Sequence, residues 1–255
     1  MQNTATNQRR TLFYNLDKVF RPNDEDDPGI PGGRGQFSLL QAALLDAKGN
    51  RIRVNESVRA QLRNLHYLIA DLASRPTHME ELIPKDQPRF MGASDVAKAG
   101  MGGVWLPPRE EDRLTQPIVW RAPFPTNVQM QVVSTLNPKG KITNSNLELA
   151  ATIAHQAILV NTHDIAGNTT HTYYCDNTPA VAWQTKGSTT TTGPAAYLLR
   201  LAAMHQQAHK YLPKYQHLPG TVNKMADDAS RMWNLTNTEL LTYFNSSMYP
   251  QPPKS

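Results

Sequence analysis

The stretch His217-Leu-Pro-Gly-Thr-Val-Asn223-Lys-Met-Ala-Asp227-Asp-Ala-Ser-Arg231 decides how the rest of the chain is read. Pro219-Gly220 is a chain-turning pair, so the strand composition of Tyr215–Leu218 ends there. A helix is expected to follow over Val222–Met232, with Asp227 in its first half and Asp228 next to it. Adjacent helical residues point about 100° apart. Only one of the two acids can therefore share a site with partners elsewhere in the chain.

Working back from there, other acids stand where strands and helices begin or end. Asp95 closes the apolar run that starts at Arg89, and Asp176 directly follows the short buried strand expected at Thr172–Cys175. Glu148 falls in the first turn of a helix that starts near Asn146, with Asn144 or Ser145 as its cap. The four positions 95, 148, 176 and 227 are 53, 28 and 51 residues apart, so only a fold can assemble them. Assembled, they would form an anionic pocket that needs cations, and hard divalent ions with oxygen ligands suit it.

The remaining elements fill in a mixed sheet. Gly102–Leu106 is expected as a second strand and Val128–Leu136 as a third. Five prolines between Pro107 and Pro125 suggest a loop or edge excursion around Ile118-Val119-Trp120. Short helices are expected at Ala180–Lys186 and Ala195–Lys210. Ahead of this region, Val58, Leu62, Leu65, Ile69 and Leu72 step by four and three, which marks one face of a helix over Glu56–Ser74. A shorter helix is expected at Phe37–Ala47, and residues 1–36, rich in acid, proline and glycine, are expected to be a flexible segment. The expected domains are thus 1–36, a helical segment 37–88, an α/β domain 89–235 and a tail 236–255.

Composition narrows the function. Of 255 residues 39% are hydrophobic and 18% charged, with a net charge of +5. Residues 89–255 carry 14 basic against 10 acidic side chains, so removing four acids to one pocket leaves a basic surround suited to a polyanion. One cysteine, Cys175, excludes a disulfide framework and a multi-Cys zinc site and fits a reducing compartment. The longest apolar stretch, Leu147–Val160, is too short and too polar to span a bilayer. A soluble protein of the cytoplasm or nucleus is expected. The pair His205 and His209 lacks a third ligand for zinc, and Gly100-Met-Gly-Gly103 lacks the Lys-Ser/Thr of a phosphate loop.

Four segments in order resemble the ribonuclease H domain of retrotransposon reverse transcriptases. Met91-Gly-Ala-Ser-Asp95-Val-Ala-Lys-Ala-Gly100-Met-Gly-Gly-Val-Trp105 is similar to its first strand and turn, and Ser145-Asn-Leu-Glu148-Leu-Ala-Ala to its glutamate helix. Tyr173-Tyr-Cys-Asp176-Asn-Thr-Pro-Ala-Val181 resembles its fourth strand, and the 217–231 stretch follows its H-[IL]-P-G-x-x-N-x-x-A-D-x-x-S-R pattern. The resemblance covers residues 89–233 and implies a five-stranded mixed sheet with flanking helices, preceded by a thumb- or connection-like helical segment. It further implies that Asp95, Glu148, Asp176 and Asp227 hold two Mg²⁺ (or Mn²⁺) ions. By the same resemblance His217 assists proton transfer or product release, and Asn223, Asn177 and Ser145 contact substrate. Ala226, Ser230-Arg231 and the Asn223 spacing favour Asp227 over Asp228.

The implied activity is hydrolysis of the RNA strand in RNA–DNA hybrids, alongside polymerase domains of the same polyprotein. Two departures stand out: the Asp95–Glu148 interval is long, with 107–125 as the expected insertion, and only Arg200 and Lys210 are basic between Ser188 and Leu212. The alternative is the same fold kept as a catalytically inactive nucleic-acid or protein-binding module of a domesticated or decayed element. A third reading, an integrase or transposase of related fold, lacks support from the 217–227 stretch.

Overall fold

The computed structural model describes residues 40, 43, 54–74, 88–106, 117–162, 169–189 and 193–245. The segment 1–36, most of 37–47 and residues 246–255 lie outside them. Helix α1 (Glu56–Ser74) forms over the expected residues, but of its stepping face Ile69 is exposed and Leu68 is buried instead, and Asn55 caps the helix by accepting from the Val58 N–H at 3.0 Å. Its Val58, Leu65 and Leu68 bury against Leu40, which with Ala43 belongs to an earlier helical turn.

Five strands form one sheet: β1 (Phe90–Val96), β2 (Gly100–Leu106), β3 (Ile118–Pro123), β4 (Thr170–Cys175) and β5 (Leu212–His217), in the order β3-β2-β1-β4-β5. The first three pair antiparallel, whereas β1–β4 and β4–β5 are parallel. Parallel neighbours need crossovers. Helix α3 (Asn144–Thr162) lies in the connection to β4, and α4 (Thr178–Lys186) and α5 (Pro194–His209) lie in the one to β5. Helices α6 (Lys224–Arg231) and α7 (Asn237–Asn245) complete the chain.

Three expectations are corrected. The third strand is Ile118–Pro123, and Val128–Leu136 instead gives a single helical turn, α2 (Thr126–Gln129), and a chain of tight turns. An edge strand has one unpaired side, so Pro117 and Pro123 at its ends remove little from the ladder. The 107–125 span expected as a loop or insertion therefore contains a paired strand of the sheet, Ile118–Pro123. The stretch from 236 holds α7, whose Leu240 and Phe244 bury beside Val104 and Ala229. The cap of α3 is Thr143, whose hydroxyl accepts from the Asn146 N–H at 3.3 Å while Asn146 Oδ1 accepts from the Thr143 N–H at 2.9 Å.

Two contacts fix the helices that carry acids. On one face, the fully buried His155 of α3 stacks on Trp105 with ring centres 4.0 Å apart, and its Nδ1 accepts from Trp120 Nε1 at 2.7 Å. Burial holds the His155 imidazole neutral, well below its ordinary range. Glu148 lies two turns earlier on the same side of α3. On the other face, α6 lies so close to β2 that a Cβ at Gly102 would come 2.5 Å from the Ala229 carbonyl carbon and 2.6 Å from the Ser230 nitrogen. Backbone cannot yield as a flexible side chain can. Gly102→Ala is expected to cost about 3 kcal/mol, read from the urea midpoint, because α6 must lift off the sheet.

Candidate metal centre

The carboxyl ends of β1 and β4 and the amino ends of α3 and α6 meet at one sheet edge. Asp95 lies within β1, buried, and its Oδ2 accepts from the Ser230 hydroxyl of α6 at 2.8 Å. Glu148, 2% exposed, enters from the first turns of α3. Asp176 follows β4 directly, and the Cβ of any larger residue at Gly220 would lie 2.9 Å from its Oδ2. A glycine there lets the turn after β5 close over that carboxylate. Ligand atoms of Glu148, Asp176 and Cys175 all lie within 4.8 Å of one another.

Electrostatics ties the acids into one group. Burial pushes the Glu148 carboxyl up to about 9, and the charges of Asp95 and Asp176 push it the same way. Asn144 and the Cys175 thiol, 3.8 Å from Oε2, oppose this weakly through hydrogen bonds. Asp95 is also raised, by burial first, with Asp176 and Asp227 adding to it and the Ser230 bond opposing. Asp227 is half-exposed and paired with Arg231 one turn along α6. Arg231 in turn feels Asp95 and Asp176.

Asp228 has other partners. It is buried, its Oδ1 is 3.2 Å from Lys224 Nζ, and its Oδ2 accepts from the Tyr243 hydroxyl of α7 at 3.0 Å. It bonds α6 to α7, while Asp227 is the acid whose charge reaches Asp95.

The neutral residues around the edge divide by what they touch. His217, exposed at the end of β5, has Nε2 3.1 Å from the Asp176 carbonyl, to which it donates. Asn223 is buried, and its Nδ2 donates to the Ser94 carbonyl at 3.2 Å, which ties the β5–α6 turn to β1 beside Asp95. Asn177 caps α4, its Oδ1 accepting from the Ala180 N–H at 3.0 Å. Ser145 lies partly buried in the first turn of α3. Sequence reasoning missed three neighbours: Ser230 on Asp95, Asn144 on Glu148, and the contact of Cys175 with Glu148. The Ser-Arg pair ending the 217–231 stretch was the available signal for the first.

The donor set fits hard divalent ions. Four carboxylates gather at one edge, and burial together with their neighbours' charges pushes Glu148 and Asp95 towards the protonated form. A cation reverses both effects, since it favours the charged form of every oxygen ligand.

No family model and no curated protein matches the chain. Among solved structures it is similar to LC11-RNase H1, isolated from compost by a metagenomic approach (14% identity, TM-score 0.39), covering 56% of this chain and 93% of that one. It is similar to RNase H1 of the halophilic archaeon Halobacterium salinarum (17% identity, TM-score 0.37), covering 61% of this chain and 98% of that one. It also resembles the prototype foamy virus protease–reverse transcriptase (15% identity, TM-score 0.32), with 84% of this chain against 25% of that one. The mixed five-stranded sheet with its flanking helices is the ribonuclease H-like fold. Among the described residues no helix is long and apolar enough to cross a membrane.

Proposed function

We propose that this chain is a metal-dependent endonuclease that hydrolyses the RNA strand of RNA–DNA hybrids, within or derived from a retrotransposon reverse transcriptase. The observation that carries the reading is the convergence of Asp95, Glu148, Asp176 and Asp227 from four elements on one sheet edge, with Asp228 turned to α7. In this reading the four acids hold two Mg²⁺ or Mn²⁺ ions. Divalent ions at such a site activate the attacking water and stabilise the leaving oxygen of an in-line displacement.

The chain's own residues then have distinct tasks. Ser230 and Asn223 are positioning residues: the first orients the Asp95 carboxylate, and the second ties the β5–α6 turn to the strand that carries it. His217 keeps its Nε2–H on the Asp176 carbonyl, which leaves Nδ1 on an exposed ring as an acceptor that can take a proton from water and hand it on to the departing product. Asn144 steadies Glu148. Ser145 and Asn177 stand at the amino ends of α3 and α4, where the hybrid backbone would pass, and its 2′-hydroxyls would mark the RNA strand. Residues 37–88 and α1 serve in this reading as the connection to polymerase domains of the same polyprotein.

The test is strand-specific. Incubation with a hybrid labelled on either strand, in Mg²⁺ or Mn²⁺, is expected to cut the RNA alone and to stop in EDTA. Cleavage of both strands, or of duplex DNA, would remove the assignment. Asp228→Asn is expected to keep cleavage and to lose about 1 kcal/mol of stability, since the Lys224 pair and part of the Tyr243 bond go with the charge. Loss of cleavage in a folded Asp228→Asn chain would reverse the choice between the two aspartates.

A further inference from the structure

The segment between β3 and α3 is built in a way that the carboxylate site does not explain. Residues 124–142 form a compact loop with its own bonding: Gln131 O accepts from the Lys141 and Ile142 N–H groups at 2.9 and 3.0 Å, and the Val133 N–H donates to Ile142 O at 2.8 Å. Asn137 Nδ2 donates to the Met130 and Val132 carbonyls at 2.9 and 3.1 Å. Its base is anchored by Val128, Val132 and Ile142, packed on Val96 and Leu147. Each of those last two is the chain neighbour of a site acid, Asp95 and Glu148. A braced loop thus stands beside the metal centre.

What it displays is the unusual part. Met130, Val133 and Leu136 are 68%, 42% and 95% exposed, although the loop has an apolar base in which similar side chains are covered. Lys139 and Lys141 are exposed on the returning arm and form no ion pair among the described residues. Lys98 stands in the β1–β2 turn, next to Ala99, whose carbonyl accepts from the Phe124 N–H at 3.0 Å where the loop begins. From Pro117 to Leu147 there is no Asp or Glu. An acid-free surface with free lysines and protruding aliphatic side chains is complementary to a nucleic-acid backbone and groove, where cations meet phosphate and aliphatic groups meet sugars and base edges.

We infer that the 124–142 loop is a second nucleic-acid contact, gripping the duplex beside the carboxylate site through Lys139, Lys141 and the aliphatic tip at Leu136. The inference rests on the proposed hybrid substrate and adds where and how it is held. The lysines bind phosphates as point charges without regard to sequence, and Leu136 packs in the groove between them. Affinity away from the scissile bond then comes from this arm and not from the α4–α5 connection, where bases are sparse.

The experiment measures binding of a fluorescent RNA–DNA hybrid to the full chain by anisotropy across a salt series, with Ca²⁺ in place of Mg²⁺. Two variants are compared with the parent chain: the double change Lys139→Gln with Lys141→Gln, and Leu136→Ser. All three side chains are exposed, so thermal melts are expected to be unchanged and exclude misfolding. The lysine variant should bind about tenfold more weakly, with the slope of log affinity against log salt reduced by about 2. Leu136→Ser should weaken binding several-fold and leave the slope unchanged. Parental affinity and slope in both variants would overturn the inference and leave the substrate assignment standing, with the loop free for a protein partner. A parent chain that binds no hybrid would overturn both.

Discussion

Asp176→Asn is expected to abolish RNA-strand cleavage while making the metal-free protein more stable. The two effects share one cause. Asp176 shares the site with the Asp95 carboxylate, and its charge raises Asp95 as well as Glu148. Replacing it with the isosteric amide removes that repulsion, for a gain of about 1 kcal/mol in EDTA. Under the proposed function it also removes a charged oxygen ligand. Losing several kcal/mol of stabilisation at the reacting phosphate slows hydrolysis by about a thousandfold or more. Paired measurements of cleavage rate and melting temperature in EDTA check both halves. A variant that cuts at the parental rate would show that Asp176 is no ligand, and a less stable variant would show that the acids do not repel.

The second large effect is a pH dependence that metal ions cancel. Folded Glu148, with its carboxyl near 9, holds a proton that an unfolded glutamate releases near 4.5. The folded state therefore binds more protons, and stability from this group is full below 4.5 and lost as pH rises towards 9. His171 works in the opposite sense: burial lowers it to about 4 against 6.5 unfolded, so its contribution is present above 6.5 and lost as pH falls towards 4. The buried His155 has the same sign. The slopes oppose one another below 6.5, and above it Glu148 acts unopposed. Stability in EDTA is expected to fall by about 3 kcal/mol between roughly pH 6.5 and 9. Saturating Mg²⁺ or Mn²⁺ should flatten that fall, because the ion binds the deprotonated carboxylate and its affinity rises with pH. Glu148→Gln should flatten it without metal. Denaturant titrations across the range decide the matter, and a profile of Glu148→Gln that follows the parent would remove Glu148 as the cause.

Much of this was legible in the residues, and the parts that were not have physical reasons. Asp176 could be placed because an acid following an apolar strand has few places to go but the sheet edge, while Asp95 proves to lie one residue inside the end of its strand. The helix at Glu56–Ser74 could be read from its stepping apolar face. The third strand could not, since Ile118-Val119-Trp120 lies among prolines and Val128–Leu136 has the better strand composition. What decided between them was pairing: Val119 and Trp120 lie opposite Val104 and Gly103, a relation no local window contains. The apolar residues of 128–136 divide between an anchored base and an exposed tip, a division that composition does not reveal.

Helix α7 is a different failure, because its signal was present. Thr236 and Glu239 form a reciprocal cap, the Thr236 N–H donating to Glu239 Oε2 at 2.7 Å and the Glu239 N–H to the Thr236 hydroxyl at 3.2 Å. A Thr three residues before a Glu and ahead of Leu240-Leu241 marks a helix start. With α7 unrecognised, no partner for Asp228 was in view, and the choice of Asp227 rested on Ala226, Ser230-Arg231, the Asn223 spacing and one helical step. Asn223 shows the opposite limit. Its position was anticipated, but its amide faces Ser94, so its contribution is to hold the turn in place.

The strand order carries a kinetic consequence. The hairpins β1–β2 and β2–β3 close within short stretches of chain, whereas the parallel register sets Phe90 against His171 and Cys175 against His217. Pairings of such sequence separation close late, because the chain must give up loop entropy before they return any contact energy. Asp176 and Asp227 belong to the half of the chain that joins last, and Asp95 to the half that is ready first. A partly folded chain therefore has acids but no site. The four acids meet only in the step that completes the sheet, so under the proposed function the capacity to hold metal arrives with that step.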